Sequence, residues 1–327
     1  MRTLSVGKLR GLQQLANDQG IFVICAVDHR GSLRKMFDEE HPRAVSYRTM
    51  VNYKLDLCRA LAAQASAVLL DPVYGAAQAI AARALPGSTG LLVSLEATDY
   101  TGTRDRRLTE LLPYWSVDKV KRLGASAAKL LLYYRPDLED VARRQLEVVR
   151  RLAQDCLKAE LPFLVEPVTY PSGEDGQAFA AKKPQLVIET ARHITALPID
   201  VLKAEFPADL SYEKDEARLF DLCCQLNEAS QVPWVILSAG VNFEVFCRQV
   251  EIACKAGASG FLAGRALWQE AVAIGDRAQR LHHLQGVVAG RLCLLAQIAN
   301  TYGTPWYSKL GATPRTLGLG ETWHQRY

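Results

Sequence analysis

The sequence predicts a single-domain (β/α)8 barrel with a C-terminal extension. Three observations carry that expectation. Eight short apolar runs bounded by turn residues recur along the chain, and they alternate with longer stretches of helical period. Strands that are apolar on both faces suit a parallel sheet covered by helices on each side, and eight is the number that closes a barrel. No Gly-x-Gly-x-x-Gly turn follows any run: the first leads into Asp28-His29-Arg30-Gly31. The doubly wound open sheet, the competing architecture, would want that glycine-rich turn.

The expected strands are Ile21–Val27, Ala67–Asp71, Gly90–Leu95, Ala127–Tyr133, Leu161–Glu166, Ile199–Glu205, Trp234–Ser238 and Ser259–Ala263. Helical period marks Val45–Gln64, Pro136–Glu160, Lys183–Ala196, Tyr212–Ala229 and Asn242–Ala256, the last closed by Gly257. The connection from Asp71 to Gly90 is the least clearly helical, and Gln285–Asn300 reads as a final helix. The expected layout is a barrel over residues 1–300 and a tail over 301–327. That tail is rich in Gly, Pro and aromatics and is expected to pack on the barrel or on a partner subunit.

Composition narrows the function classes. The chain has 327 residues, 39 Lys+Arg against 35 Asp+Glu, and 49% hydrophobic residues. This is globular composition, and the length fits one large barrel. A net charge of +4 is too small to argue for nucleic acid. No window approaches the roughly 18 consecutive apolar residues of a membrane span. The N-terminus, Met-Arg-Thr-Leu-Ser-Val-Gly-Lys, lacks the apolar core of a signal peptide. The eight cysteines form no Cys-x-x-Cys pair and sit in apolar or helical patterns. They read as free thiols of a cytoplasmic protein. His282 and His283 are adjacent, so on a helix they cannot jointly face one ion, and no metal site is expected.

In a barrel the chemistry sits at the C-terminal ends of the strands. Here those ends carry Asp28, Asp71, Glu96, Glu166 and Ser238, with Lys129 inside the fourth strand and Lys203 and Glu205 in the sixth. Charges in doubly covered strands are costly unless paired or facing a site. Lys203 could be a structural partner of Glu205 or Asp200. It could instead be a nucleophilic amine, activated by desolvation or by a nearby cation such as Lys129. A nucleophilic lysine beside Glu166 and Asp28 is the equipment of Schiff-base chemistry, in which an amine captures a ketone and carboxyl groups move protons.

A second signal is anion binding. Ser238-Ala239-Gly240 follows the seventh strand and Gly264-Arg265 follows the eighth. The loops after those two strands form the recurrent phosphate site of the fold. The glycines allow close approach of backbone N–H groups, and Arg265 can grip an anion bidentately.

Several segments together resemble the class I tagatose 1,6-bisphosphate aldolase family. They are Val27-Asp28-His29-Arg30-Gly31, Leu69-Leu70-Asp71-Pro72-Val73-Tyr74-Gly75, Lys129-Leu130-Leu131-Leu132-Tyr133-Tyr134, Glu166-Pro167-Val168-Thr169-Tyr170, Val201-Leu202-Lys203-Ala204-Glu205-Phe206-Pro207 and Leu237-Ser238-Ala239-Gly240-Val241. The resemblance runs in order from Ile21 to Gln269. The segment Pro233–Trp268 is also similar to sulfofructose-phosphate aldolases.

The resemblance implies a metal-independent barrel enzyme that needs no cofactor. Lys203 would be the Schiff-base lysine and Glu166 the main proton-transfer residue, with Asp28 and Lys129 in support. Ser238, Gly240, Gly264 and Arg265 would hold the phosphate of the dihydroxyacetone-phosphate half, and His29, Arg30 and Glu96 would meet other parts of the substrate. Two departures bear on substrate identity rather than reaction type. His29 stands where the family usually has Gln, and Glu96-Ala97-Thr98-Asp99-Tyr100 replaces the usual Glu-Lys-Thr-Gly-Tyr. The expected partner is a phosphorylated sugar, with no nucleic acid and no membrane, and the protein is expected to form a homo-oligomer. The alternatives are a sulfofructose 1-phosphate aldolase, a non-catalytic phosphosugar-sensing barrel, and an isomerase or epimerase, which would not need two strand-borne lysines.

Overall fold

In a computed structural model, residues 4–311, 317–325 and 327 are described. The chain opens with α1 (Val6–Leu15), β1 (Phe22–Ala26), α2 (Gly31–Phe37), α3 (Tyr47–Leu61), β2 (Ala67–Leu70), α4 (Ala76–Ala81) and β3 (Gly90–Ser94). A hairpin of β4 (Thr101–Thr103) and β5 (Arg106–Leu108) follows, then α5 (Val117–Arg122), β6 (Ala127–Tyr133), α6 (Glu139–Lys158) and β7 (Phe163–Val168). Next come α7 (Gly176–Thr195), β8 (Val201–Ala204), α8 (Glu216–Ala229), β9 (Trp234–Leu237), α9 (Phe243–Lys255) and β10 (Gly260–Ala263). The chain then runs through α10 (Arg265–Trp268), α11 (Arg277–His283), α12 (Ala289–Tyr302) and α13 (Tyr307–Leu310).

Eight of the strands close into a parallel barrel in the order β1-β2-β3-β6-β7-β8-β9-β10 and back to β1. Every expected strand run supplies one of them. The period-two alternation of a strand sorts each run into two layers. Phe22, Ile24, Ala26, Leu69, Leu92, Ala127, Leu164, Val201, Val235 and Leu262 fill the barrel interior. Their neighbours Val23, Cys25, Val68, Val93, Ala128, Val165, Leu202 and Phe261 pack outward against the helices.

Several elements lie outside the expectations: α1, α2, the β4–β5 hairpin, α5 and the short helices α10, α11 and α13. Helix α1 crosses the N-terminal mouth of the barrel. A side chain at Gly11 would collide with the Ser126 carbonyl and Pro162, which precede β6 and β7. Lys8 of this helix pairs with Asp200 at 2.7 Å. That pair removes one of the two partners considered for Lys203.

Boundaries move for local reasons. Strand β7 continues past Glu166 to Val168, because Pro167 and Val168 still pair with Leu132 and Tyr133. Helix α7 starts at Gly176 rather than Lys183: the Asp175 side chain caps it by accepting from Ala178 N–H, and Pro184 lies inside the helix. Helix α8 starts at Glu216, capped by Asp215, rather than at Tyr212. Helix α6 begins at Glu139 rather than Pro136, and α12 runs from Ala289 to Tyr302 after a π-helical turn over Leu284–Val288.

In the tail, Trp306 and Leu310 are buried against the apolar layer that includes Leu12 and Leu15 of α1. Lys309 Nζ donates to the carbonyls of Asn227 and Ser230, at 2.6 and 2.9 Å. Residues 312–316 and 326 of the tail, and 1–3 of the N-terminal segment read for a signal peptide, lie outside the described residues. All eight cysteines are free thiols. Among the described residues no helix is long and apolar enough to cross a membrane.

Candidate active site

The alternation that fills the barrel also builds the site. Ala127, Leu164 and Val201 belong to the apolar interior layer. Two residues further along each strand, the same inward face carries Lys129, Glu166 and Lys203. Asp28 follows Ala26 by two residues at the end of β1, and Glu96 follows Ser94 at the end of β3. Five ionisable groups from β1, β3, β6, β7 and β8 or their C-terminal ends therefore meet just above an apolar floor.

Their pairing is specific. Lys129 Nζ lies 2.8 Å from Asp28 Oδ2, 2.7 Å from Glu96 Oε1 and 2.8 Å from Glu166 Oε2. Lys203 Nζ lies 2.6 Å from Glu166 Oε1. The second Glu96 oxygen accepts from the Leu131 backbone N–H at 3.0 Å. Two cations and three carboxylates thus form one connected cluster, the arrangement that buried charge requires. Lys129 is expected as a nearby cation that could activate Lys203. It is enclosed by three carboxylates, one of which, Glu166, it shares with Lys203.

The electrostatics follow from that enclosure. Burial opposes the charged form of Lys129, but Asp28, Glu166 and Glu96 outweigh it and hold the ammonium well above its usual range. Burial would raise the Asp28 and Glu166 carboxyls, yet the nearby lysines, Lys129 foremost, hold both below the usual carboxylate range. His29 goes the other way. Burial, helped by Arg265, Lys54 and Lys203 and opposed by Asp28, pushes the imidazole down to about 3. The ring stands edge-on to Trp268, with centroids 5.1 Å apart.

The opposite wall carries Ser238, Gly264 and Arg265. Strand β9 ends at Leu237, and Ala239 and Gly240 then take left-handed backbone angles, φ 47° and 83°. A Cβ on Gly240 would sit 3.0 Å from Arg265 Cζ, so the missing side chain leaves room for the guanidinium. Ser238 Oγ lies 3.5 Å from the Gly264 N–H. No carboxylate pairs with Arg265 among the described residues.

These groups line a cavity of about 440 Å³ at the C-terminal mouth of the barrel. Of the residues expected at a site, Asp28, His29, Arg30, Glu96, Lys129, Glu166, Lys203, Ser238, Gly264 and Arg265 all line it. Gly240 does not; it acts from behind Arg265. Asp71 is not part of the site: it is fully buried, 2.7 Å from Lys54 Nζ, and accepts from the N–H groups of Val73 and Tyr74. Glu205 reaches the cavity edge, but one oxygen accepts from Thr169 N–H and Oγ1 at 2.6 and 2.7 Å. Neither considered partner of Lys203, Glu205 or Asp200, is the one it has.

Sequence reasoning missed Thr98, Asp99 and Tyr133, which also line the cavity. Tyr133 had a readable signal, because Lys129, Leu131 and Tyr133 share one face of β6. Thr98 and Asp99 lie in the loop before the hairpin, where no periodicity marks a wall. Among the described residues no group of three His, Cys, Asp or Glu side chains is placed to hold a metal ion.

The fold and site together define a barrel protein with a buried lysine, a carboxylate shared between two lysines and an arginine at the rim of one cavity. Residues 22–270 match the DeoC/LacD family aldolases. The chain is 36% identical over 290 residues to tagatose 1,6-diphosphate aldolase 1 of Enterococcus faecalis, covering 83% of this chain and 87% of the relative. It is 31% identical over 336 residues to the tagatose 1,6-diphosphate aldolase of Listeria monocytogenes, covering 95% and 97%. Among solved structures, an archaeal fructose 1,6-bisphosphate aldolase superposes with a TM-score of 0.62 at 21% identity, over 90% of this chain and 99% of that one. That likeness concerns the fold. The chain belongs to the DeoC/LacD aldolase family and is a carbon–carbon lyase.

Proposed function

We propose that this aldolase cleaves tagatose 1,6-bisphosphate to dihydroxyacetone phosphate and glyceraldehyde 3-phosphate through a Schiff base on Lys203. The observation that carries the reading is the buried Lys203 amine, 2.6 Å from Glu166 at the foot of a cavity whose far wall carries Arg265. The relatives' names supply the sugar.

The steps use groups already in place. Lys203 passes a proton to Glu166, and the free amine attacks C2 of the open-chain ketose. Glu166 returns the proton as the C2 oxygen leaves as water, and an iminium remains. Glu166 then takes the C4 hydroxyl proton while the C3–C4 bond breaks. The bond's electron pair moves to C3, the iminium becomes an enamine, and the aldehyde departs. Protonation at C3 and hydrolysis release dihydroxyacetone phosphate and restore the amine. The iminium is the electron sink, so the chemistry calls for no metal and no cofactor.

Lys129 keeps Asp28, Glu96 and Glu166 in register. Ser238, Gly264 and Arg265 hold the C1 phosphate, with Gly240 making room for the arginine. His29 and Arg30 meet the sugar hydroxyls beside Asp28. The eight free thiols suit a cytoplasmic enzyme.

A substrate panel tests this reading. Tagatose 1,6-bisphosphate should yield triose phosphates at a rate unchanged by EDTA, and fructose 1,6-bisphosphate measures indifference to the C4 configuration. Cleavage of sulfofructose 1-phosphate alone would reassign the sugar. Binding of the bisphosphates without triose release, or ketose interconversion in its place, would overturn the proposal.

A further inference from the structure

The strand order lays out the substrate. With the C1 phosphate at β9 and β10, C2 at β8 and the C4 proton at β7, a ketose follows the barrel wall in the order of its neighbouring strands. Its C5–C6 end then falls at β6 and β3, beside Tyr133 and the loop leading to the hairpin. This argument rests on the Schiff-base reading above.

That end of the cavity holds a cluster unlike the rest of the rim. Tyr133 stands at the mouth, two residues above Leu131, and both line the cavity. Behind it the β4–β5 hairpin brings in Arg107. The guanidinium lies 4.6 Å from the Tyr100 ring centre, 4.9 Å from Tyr170 and 5.6 Å from Tyr133. The Tyr133 ring packs edge-on against Tyr100 and Tyr170, with centroids 5.1 and 6.3 Å apart. The hairpin is anchored: Arg107 N–H donates to Tyr170 Oη at 3.1 Å, and Arg106 pairs with Asp140. Among the described residues Arg107 has no ion pair with a carboxylate; its Nε donates to the Arg104 carbonyl at 2.9 Å. A half-buried arginine held by three aromatic faces and left without a counter-anion is a site of positive potential. Asp99, on the same wall, opposes an anion there, and Arg107 is the group placed to offset it.

We propose that Tyr133 and Arg107 form the subsite for the far end of the ketose, and that this subsite takes an anionic group on C6. Tyr133 touches the substrate, and Arg107 is a positioning residue that orients the phenol and supplies the positive field.

The test compares three substrates that differ in charge at C6: tagatose 1-phosphate with none, sulfofructose 1-phosphate with one, and tagatose 1,6-bisphosphate with two. Arg107→Met should raise KM for the anionic substrates by about tenfold or more with kcat little changed, while tagatose 1-phosphate loses no such factor. Arg107→Lys should recover much of the loss, and Tyr133→Phe should weaken the same substrates. Equal losses on all three, or none, would overturn the proposal, because a merely structural arginine does not discriminate by C6 charge. Borohydride trapping with dihydroxyacetone phosphate, which lacks C4 to C6, separates the two readings. It should be unchanged in every variant, and its failure in the unaltered enzyme would count against the Schiff base and not against this subsite alone.

Discussion

Glu166 Oε1 lies 2.6 Å from the Lys203 amine, and the other oxygen of the same carboxylate lies 2.8 Å from Lys129. A carboxylate held at both oxygens cannot turn, so its one oxygen stays aimed at Lys203. Lys129 is itself fixed by Asp28 and Glu96. The position of Glu166 therefore depends on residues at the ends of β1 and β3 and on β6 as well as on its own strand.

Glu166→Gln keeps the shape and removes the base. Triose release should fall by roughly 10²–10⁴-fold, while dihydroxyacetone phosphate still forms a reducible adduct, more slowly. Steady-state rates and mass spectrometry of the trapped protein check both halves. Unchanged cleavage would assign the C4 proton to another group.

Lys129→Met leaves three buried carboxylates without their cation, a loss of about 3–5 kcal/mol by analogy with broken buried pairs. The sign with pH follows from the shifts. Asp28 and Glu166 are depressed in the folded protein, so they contribute stability that is present above their unfolded values, near about 4, and lost as pH falls through the folded ones. The gap between variant and parent should be widest near neutrality and narrow as acid protonates the carboxylates. Urea denaturation between pH 7 and pH 3 measures it, and a gap independent of pH would contradict the account.

Arg265→Ala should raise KM for every substrate with a C1 phosphate by roughly 10–100-fold, since a bidentate charge-assisted contact is lost. Competitive inhibition by dihydroxyacetone phosphate should weaken equally. Loss confined to kcat would place the arginine's role in the chemistry and not in phosphate binding.

His29 should not titrate between pH 5 and pH 8, because its buried imidazole is held near 3 by desolvation and neighbouring cations. Imidazole NMR signals of the parent, assigned with His29→Gln, check this. A midpoint near 6 would mean the ring carries charge during catalysis.

Much of the site was legible in the sequence because strand periodicity is rigid. Once Ala127, Leu164 and Val201 are interior, Lys129, Glu166 and Lys203 must face the same axis. The placement of Ser238, Gly264 and Arg265 on the cavity wall was legible for a similar reason, as they follow strands directly. Partner choice was not. Lys203 faces Asp200 and Glu205 in sequence, yet Lys8 takes Asp200 and Thr169 takes Glu205, both from elements distant in the chain. The hairpin was also hidden. Its strands have three residues each, and β4 is fully exposed, so no apolar pattern announces them. Helix α7 begins at Gly176, before its expected start at Lys183, with Pro184 in its interior.

The most direct test of the central claim is borohydride reduction in the presence of dihydroxyacetone phosphate, followed by peptide mass spectrometry. The account predicts a reduced three-carbon phosphate adduct on the peptide containing Lys203, and none after Lys203→Met. Undiminished cleavage with no adduct, or an adduct on Lys129 instead, would contradict it.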